Sequence, residues 1–211
     1  MTESDKNTEN ESGSKSGSKS KSRNRALVEW AVIILVLVLL KQTGYGTVLQ
    51  SYVQRGMLLS GILVRDAELG GMPISRANYS IPLIDMDGEP VDMAEWKGKT
   101  IFINIWATWC APCLAEMPII HDLYEHMDGE NIVFAMLSSD DSLEIARAFV
   151  EKKGYTFPVY LLHAGLPEPY STNTIPTTYV ISPDGDVVMR HTGMFNYNSE
   201  EFRNFLAEVS Q

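Results

Sequence analysis

The chain holds two cysteines in 211 residues, and they stand three apart in the run Trp106-Ala107-Thr108-Trp109-Cys110-Ala111-Pro112-Cys113. Two thiols at that spacing close a disulfide on each other, and the thiolate of such a pair attacks a foreign disulfide. The run follows the apolar stretch Ile101-Phe102-Ile103-Asn104-Ile105 and precedes a helix-like stretch, so Cys110 falls where a strand gives way to a helix. A helix amino terminus presents unpaired N–H groups and the positive end of the macrodipole. Both favour an ionised sulfur, so Cys110 is expected to titrate below the free value of about 8.5 and to act as the nucleophile. Cys113, one turn further in, is the resolving thiol. Pro112 lacks an N–H, which matters little in a first helical turn. The competing reading is a pair of buried structural cysteines. Zinc fits poorly, because a closed site takes four ligands and His121, His126, His163 and His191 are scattered. Haem attachment needs a His after the second cysteine, where this chain has Leu114.

The elements that must position the pair follow from hydrophobic period and turn residues. Thr100 to Ala107 reads as a strand buried on both faces, because its apolar run is nearly continuous. Pro112 to Met127 reads as a helix, with a kink expected at Pro118. Ile81 to Ile84 and Pro90 to Met93, around Asp87-Gly88, read as a hairpin. Further strands are expected at 131–137 and 157–162, with a helix over 143–152 between them. Thr178 to Ser182 and Asp186 to His191 flank the turn Pro183-Asp184-Gly185 as a second hairpin. Glu200 to Val209 is an amphipathic closing helix, with Phe202, Phe205, Leu206 and Val209 on one face. Alternating strands and helices followed by a hairpin predict an α/β sandwich with a mixed central sheet.

Charge divides the chain. Residues 76–211 carry 8 Lys or Arg against 20 Asp or Glu, a formal charge of −12. Such a domain repels phosphate backbones, which argues against a nucleic-acid partner. Residues 1–25 are polar, with Lys15, Lys19, Lys21, Arg23 and Arg25 clustered at their end, and are expected to be a disordered basic tail. Ala26 to Leu40 is apolar. As a helix its 15 residues span about 22 Å against a hydrocarbon core of roughly 30 Å. Continued to Leu49, it is expected to be an uncleaved transmembrane signal-anchor over 26–49, since no Ala-x-Ala-like cleavage site follows. The basic cluster then stays cytoplasmic and the cysteines face the outside, a disulfide-permitting (periplasmic) compartment. Residues 50–77, interrupted by glycines, are assigned as a tether, and 78–211 as the compact domain.

Several motifs in the compact domain resemble a known family. Gly98-Lys99, the run from Phe102 to Cys113, Glu116-Met117-Pro118 and Ile175-Pro176-Thr177-Thr178 are together similar to the membrane-anchored TlpA/ResA-like thiol-disulfide oxidoreductases of the thioredoxin superfamily. The resemblance covers about Asn78 to Val209. It implies a thioredoxin-like fold, a mixed sheet flanked by helices, behind an N-terminal transmembrane helix. It implies that Ile175-Pro176 is a cis-proline loop lying against the disulfide and pairing with an extended substrate segment, with Trp109 and Pro112 also contacting substrate. It implies that Glu116, three residues after Cys113 on the same helix face, transfers protons. Thioredoxins themselves carry a buried Asp six residues before the first cysteine. Here Asn104 stands there and cannot take a proton, which leaves Glu116 as the acid-base candidate. The implied redox group is the Cys110–Cys113 disulfide itself, with no metal and no organic cofactor. The implied partners are protein thiols and disulfides, a membrane electron donor and the bilayer. The Ala111-Pro112 pair between the cysteines resembles reducing members. The favoured substrate class of the family is apocytochrome c thiols awaiting haem. A disulfide oxidase or isomerase with the same site, and a noncatalytic thioredoxin-like binding module, are the alternatives.

Overall fold

The computed structural model describes residues 29–35, 53, 56, 74–127 and 131–211. In chain order the elements are β1 (Ser75–Arg76), β2 (Leu83–Ile84), β3 (Pro90–Val91), a 3-10 turn (Met93–Trp96), β4 (Thr100–Trp106), α1 (Ala111–His126), β5 (Ile132–Ser138), α2 (Leu143–Lys153), β6 (Val159–Leu162), β7 (Thr177–Ile181), β8 (Asp186–Thr192) and α3 (Glu200–Val209). The strands form one mixed sheet in the order β1-β8-β7-β4-β5-β6-β2-β3. β4 pairs in parallel with β5 and antiparallel with β7, so the strand that leads to the cysteines sits inside the sheet.

Period two decides what each face of β4 does. Ile101, Ile103 and Ile105 enter one apolar cluster, with Leu137, Tyr179, Met93 and Tyr170. Phe102 and Trp106 enter the other, with Met117, Ile120 and Leu123 of α1 and Phe202 and Leu206 of α3. Asn104 shares the parity of Phe102 and Trp106. The strand therefore points one amide into the layer that α1 covers. All seven residues of β4 are buried, as its unbroken apolar run predicts. Phe202 anchors this layer: it is fully buried, with ring centroids 5.3 Å from Tyr197 and 5.8 Å from Phe195. Phe202→Ala should lower the unfolding free energy by about 3–5 kcal/mol, read from urea midpoints at constant m.

Two differences from the sequence reading have physical reasons. Ser75 and Arg76, read as the end of the tether, form the sheet's edge strand opposite Val187 and Asp186. Two residues without alternation give no period to read; backbone bonds from Ile74 and Ala77 and the 2.8 Å Arg76–Asp186 ion pair hold them. The first hairpin is shorter than expected, because Asp92 Oδ1 accepts from the Ala94 N–H and turns Met93 into a 3-10 segment. Pro118 lies inside α1, which runs as one sixteen-residue element. The second hairpin turns as expected at Gly185, where φ is 82° and an added Cβ would come 3.2 Å from the Tyr79 hydroxyl.

The chain divides into two units, Met1–Gly46 and Thr47–Gln211. In the first, residues 29–35 are helical, with Trp30, Val32, Ile33, Ile34 and Leu35 exposed. Among the described residues no helix is long and apolar enough to cross a membrane. The basic tail, the rest of the 26–49 anchor and nearly all of the tether before Ile74 lie outside the described residues.

Candidate active site

Cys110 is the N-cap of α1. Its backbone is extended (φ −88°, ψ 99°), and its Sγ accepts a hydrogen bond from the Cys113 N–H at 3.3 Å. A capping Ser or Asp oxygen would accept the same bond from the third helical residue. Here sulfur takes that place, so the group that must carry negative charge already faces a helix-terminal donor. The Leu114 N–H closes the first helical turn on the Cys110 carbonyl at 3.0 Å. Pro112 lies in that turn, half-buried, where its missing N–H leaves no acceptor unmet. Cys110 and Cys113 are joined as a disulfide with their Cα atoms 5.3 Å apart. Cys113 is sealed from solvent, whereas Cys110 is 5% exposed. Of the pair, Cys110 is the residue that reaches solvent.

Trp109, by contrast, is 65% exposed. It lines a cleft of about 370 Å³ together with Ile105, Ser139, Leu166, Thr172 and Ile175. Ile175 packs against the apolar cluster that contains both cysteines. The Ile175–Pro176 peptide is cis, and the Pro176 carbonyl accepts from the Gly193 N–H at 2.9 Å. The structure thus brings Trp109 and Ile175 to one cleft, beside the loop that carries Cys110, with Pro176 buried directly behind Ile175.

Glu116 is fully buried on α1. Its Oε1 accepts from Asn104 Nδ2 at 2.8 Å, and its Oε2 accepts from the Phe195 N–H at 3.3 Å. Burial raises its pKa and the two hydrogen bonds pull it part of the way back, leaving it pushed up to about 8. Asn104 Nδ2 also donates to Thr178 Oγ1 at 2.9 Å, and that hydroxyl oxygen accepts from the Tyr197 hydroxyl at 2.6 Å. Burial, and then the neighbouring Glu116 charge, hold the Tyr197 hydroxyl well above its ordinary value. Thr178 and Tyr197 escaped sequence reading. Thr178 is set by register, since it stands directly opposite Asn104 on β7. In the sequence it stands only as the last residue of the Ile175-Pro176-Thr177-Thr178 motif.

A second set of polar contacts holds the loop between β4 and α1. Asp140, at the end of β5, is 6% exposed and accepts from the Thr108 N–H at 3.0 Å and from the Thr108 hydroxyl at 2.7 Å. Ser138 donates to its other oxygen at 2.8 Å. Next to it, Ser139 N–H and hydroxyl both donate to the Trp106 carbonyl, at 2.9 Å and 3.1 Å. His121, beside Asp122 and Glu125 on α1, has its Nε2 engaged by the Thr156 N–H at 3.2 Å.

Comparison with known proteins agrees with this geometry. The pattern of the redoxin family matches residues 70–207. A thiol-disulfide oxidoreductase ResA of Halalkalibacterium halodurans is 34% identical over 128 residues, which cover 59% of this chain and 72% of the relative. A ResA of Bacillus thuringiensis is 27% identical over 140 residues, 66% of this chain and 80% of the relative. The crystal structure of a putative thiol-disulfide oxidoreductase from Bacteroides vulgatus is 27% identical, with a TM-score of 0.56, over 65% of this chain and 96% of that one. StoA of Bacillus subtilis, at 20% identity and a TM-score of 0.51 over 61% of this chain and 98% of that one, shares the fold. The matched stretch holds the whole sheet from β1 onward and the cysteine pair at the head of α1, and the chain belongs to the redoxin family of thioredoxin-like thiol-disulfide oxidoreductases.

Proposed function

We propose that this oxidoreductase reduces disulfides of proteins outside the cytoplasm while tethered to the membrane by its N-terminal segment. The observation that carries the reading is Cys110 Sγ at the N-cap of α1, accepting the Cys113 N–H. In the reduced protein the Cys110 thiolate attacks one sulfur of a substrate disulfide. The substrate S–S bond breaks, a Cys110–substrate disulfide forms, and the departing sulfur takes a proton. Cys113 then loses its proton and attacks Cys110 Sγ, and the second substrate sulfur leaves as a thiolate that takes a proton from solvent. The substrate gains two electrons and the dithiol loses two, so that an electron donor in the membrane must reduce the pair again. The first proton comes from solvent, and Glu116, buried on the helix that carries Cys113 and with its pKa raised to about 8, takes as carboxylate the proton that Cys113 loses. Trp109, Pro112, Ile175 and Pro176 hold the client segment, and the cleft between Trp109 and Ile175 receives it. No metal or organic cofactor takes part.

The Ala111-Pro112 pair supports reduction over oxidation, and apocytochrome c thiols are the favoured client class. The basic cluster before Ala26, and the exposed apolar side chains on the helical residues 29–35, support the anchor and an extracytoplasmic domain. The test is insulin reduction by dithiothreitol. The full chain should accelerate precipitation of the insulin B chain severalfold at catalytic concentration. A time course that matches dithiothreitol alone would leave a binding module in place of a reductase.

A further inference from the structure

The strap that ends in Asp140 grips the residue two positions before the nucleophile. Thr108 has both its N–H and its hydroxyl on this carboxylate, and the remaining partner is the Ser138 hydroxyl. Every one of these donors is neutral, and the described ion pairs, Arg76–Asp186 and His121–Glu125, do not include Asp140. A formal negative charge, 6% exposed, is thus held beside the cysteine loop by dipoles rather than by a cation. Two peptide steps separate Thr108 from Cys110, at most about 7.6 Å between Cα atoms. Both groups are almost sealed from solvent, so salt screens their interaction little.

We propose that Asp140 is a positioning residue with two effects on the Cys110–Cys113 pair. Its hydrogen bonds to Thr108 fix the β4–α1 loop, and its charge opposes ionisation of Cys110. The second effect has a direction. Stabilising the thiolate stabilises the reduced protein and makes the pair a stronger oxidant. A fixed anion beside the loop works the other way: it limits what the helix terminus gains for the thiolate and keeps the pair reducing. The proposal rests on the reductase reading and deepens it, because it names what sets the direction of electron flow.

The test uses the reduced full chain, with the Cys110 titration midpoint read from the pH dependence of its alkylation, resolved by mass spectrometry. Asp140→Asn keeps one acceptor oxygen and removes the charge. Its Cys110 midpoint should fall by about half a unit to one unit. Its equilibrium with glutathione should move about threefold or more towards the dithiol. The other titratable groups on the neighbouring elements remain in both proteins: Glu116, His121, Asp122, Tyr124, Glu125 and His126 on α1, Asp141 in the same connection, Glu144, Arg147, Glu151, Lys152 and Lys153 on α2, and His163 after β6. The difference between the two proteins therefore isolates one charge. Thr108→Val keeps the charge and loses one hydrogen bond, so its midpoint should stay or rise. A midpoint unchanged or raised in folded Asp140→Asn overturns the proposal. So does a fall in Thr108→Val, whether or not Asp140→Asn folds. If wild type fails to reduce insulin while the Asp140→Asn midpoint still falls, the reductase reading alone is lost.

Discussion

Cys110→Ser should lose insulin-reducing turnover by at least about a thousandfold, while Cys113→Ala should retain the first chemical step and stall after it. The asymmetry follows from burial. Cys113 is sealed and Cys110 is not, so a substrate sulfur meets Cys110 first. A serine hydroxyl at the N-cap accepts the same N–H bond but does not ionise near neutral pH, so the helix terminus has no nucleophile to stabilise. Cys113→Ala leaves the Cys110 thiolate without an internal partner to release the client. It should accumulate a covalent adduct one client heavier, visible on a non-reducing gel and removed by dithiothreitol. Adducts on Cys113 in a Cys110→Ser background, at the same yield, would reverse the two roles.

The second large effect is on stability. Glu116 titrates at about 8 in the folded chain against 4.5 as its ordinary value. Between those two pH values the unfolded chain has released the proton and the folded chain has kept it. The folded state then binds more protons, so stability falls as pH rises. This contribution is whole below about pH 4.5, declines through the window and levels off above pH 8. The shift corresponds to on the order of 4 kcal/mol between the ends of the window. Glu116→Gln carries no such proton, so its denaturation midpoint should be nearly level from pH 5 to pH 8 where that of wild type descends. Parallel profiles for the two proteins would mean that Glu116 ionises freely in the fold, and its proton-transfer role would go with it.

Legibility in the sequence tracked the range of the interaction. The apolar run of β4, the amphipathic α3 and the Pro183-Asp184-Gly185 turn are each fixed by residues within one element, and each was readable. So was the N-cap position of Cys110, because a strand end, a Pro and a helical period adjoin within eight residues. The family resemblance makes Glu116 the acid in place of the aspartate whose position Asn104 holds, 12 residues away; the structure joins the two by one hydrogen bond. Thr178 was not legible as their partner, because its place depends on the β4–β7 register across 74 residues. Tyr197 reaches Thr178 only because the segment before α3 folds back over it, and no local pattern encodes that return. Asp140 read as one acid among twenty in an acidic domain. Its function lies in a contact across 32 residues, between the ends of two parallel strands. The edge strand at Ser75–Arg76 was hidden for another reason: its stability comes from β8, not from its own side chains.

The most direct measurement is the rate of iodoacetamide alkylation of each cysteine in the reduced wild-type chain as a function of pH. A thiolate held at the head of α1 predicts that Cys110 reacts before Cys113, and that its midpoint lies below the free-cysteine value of about 8.5. A Cys110 that reacts no faster at neutral pH than a cysteine in an unstructured peptide, with its midpoint at that same free value, would contradict it.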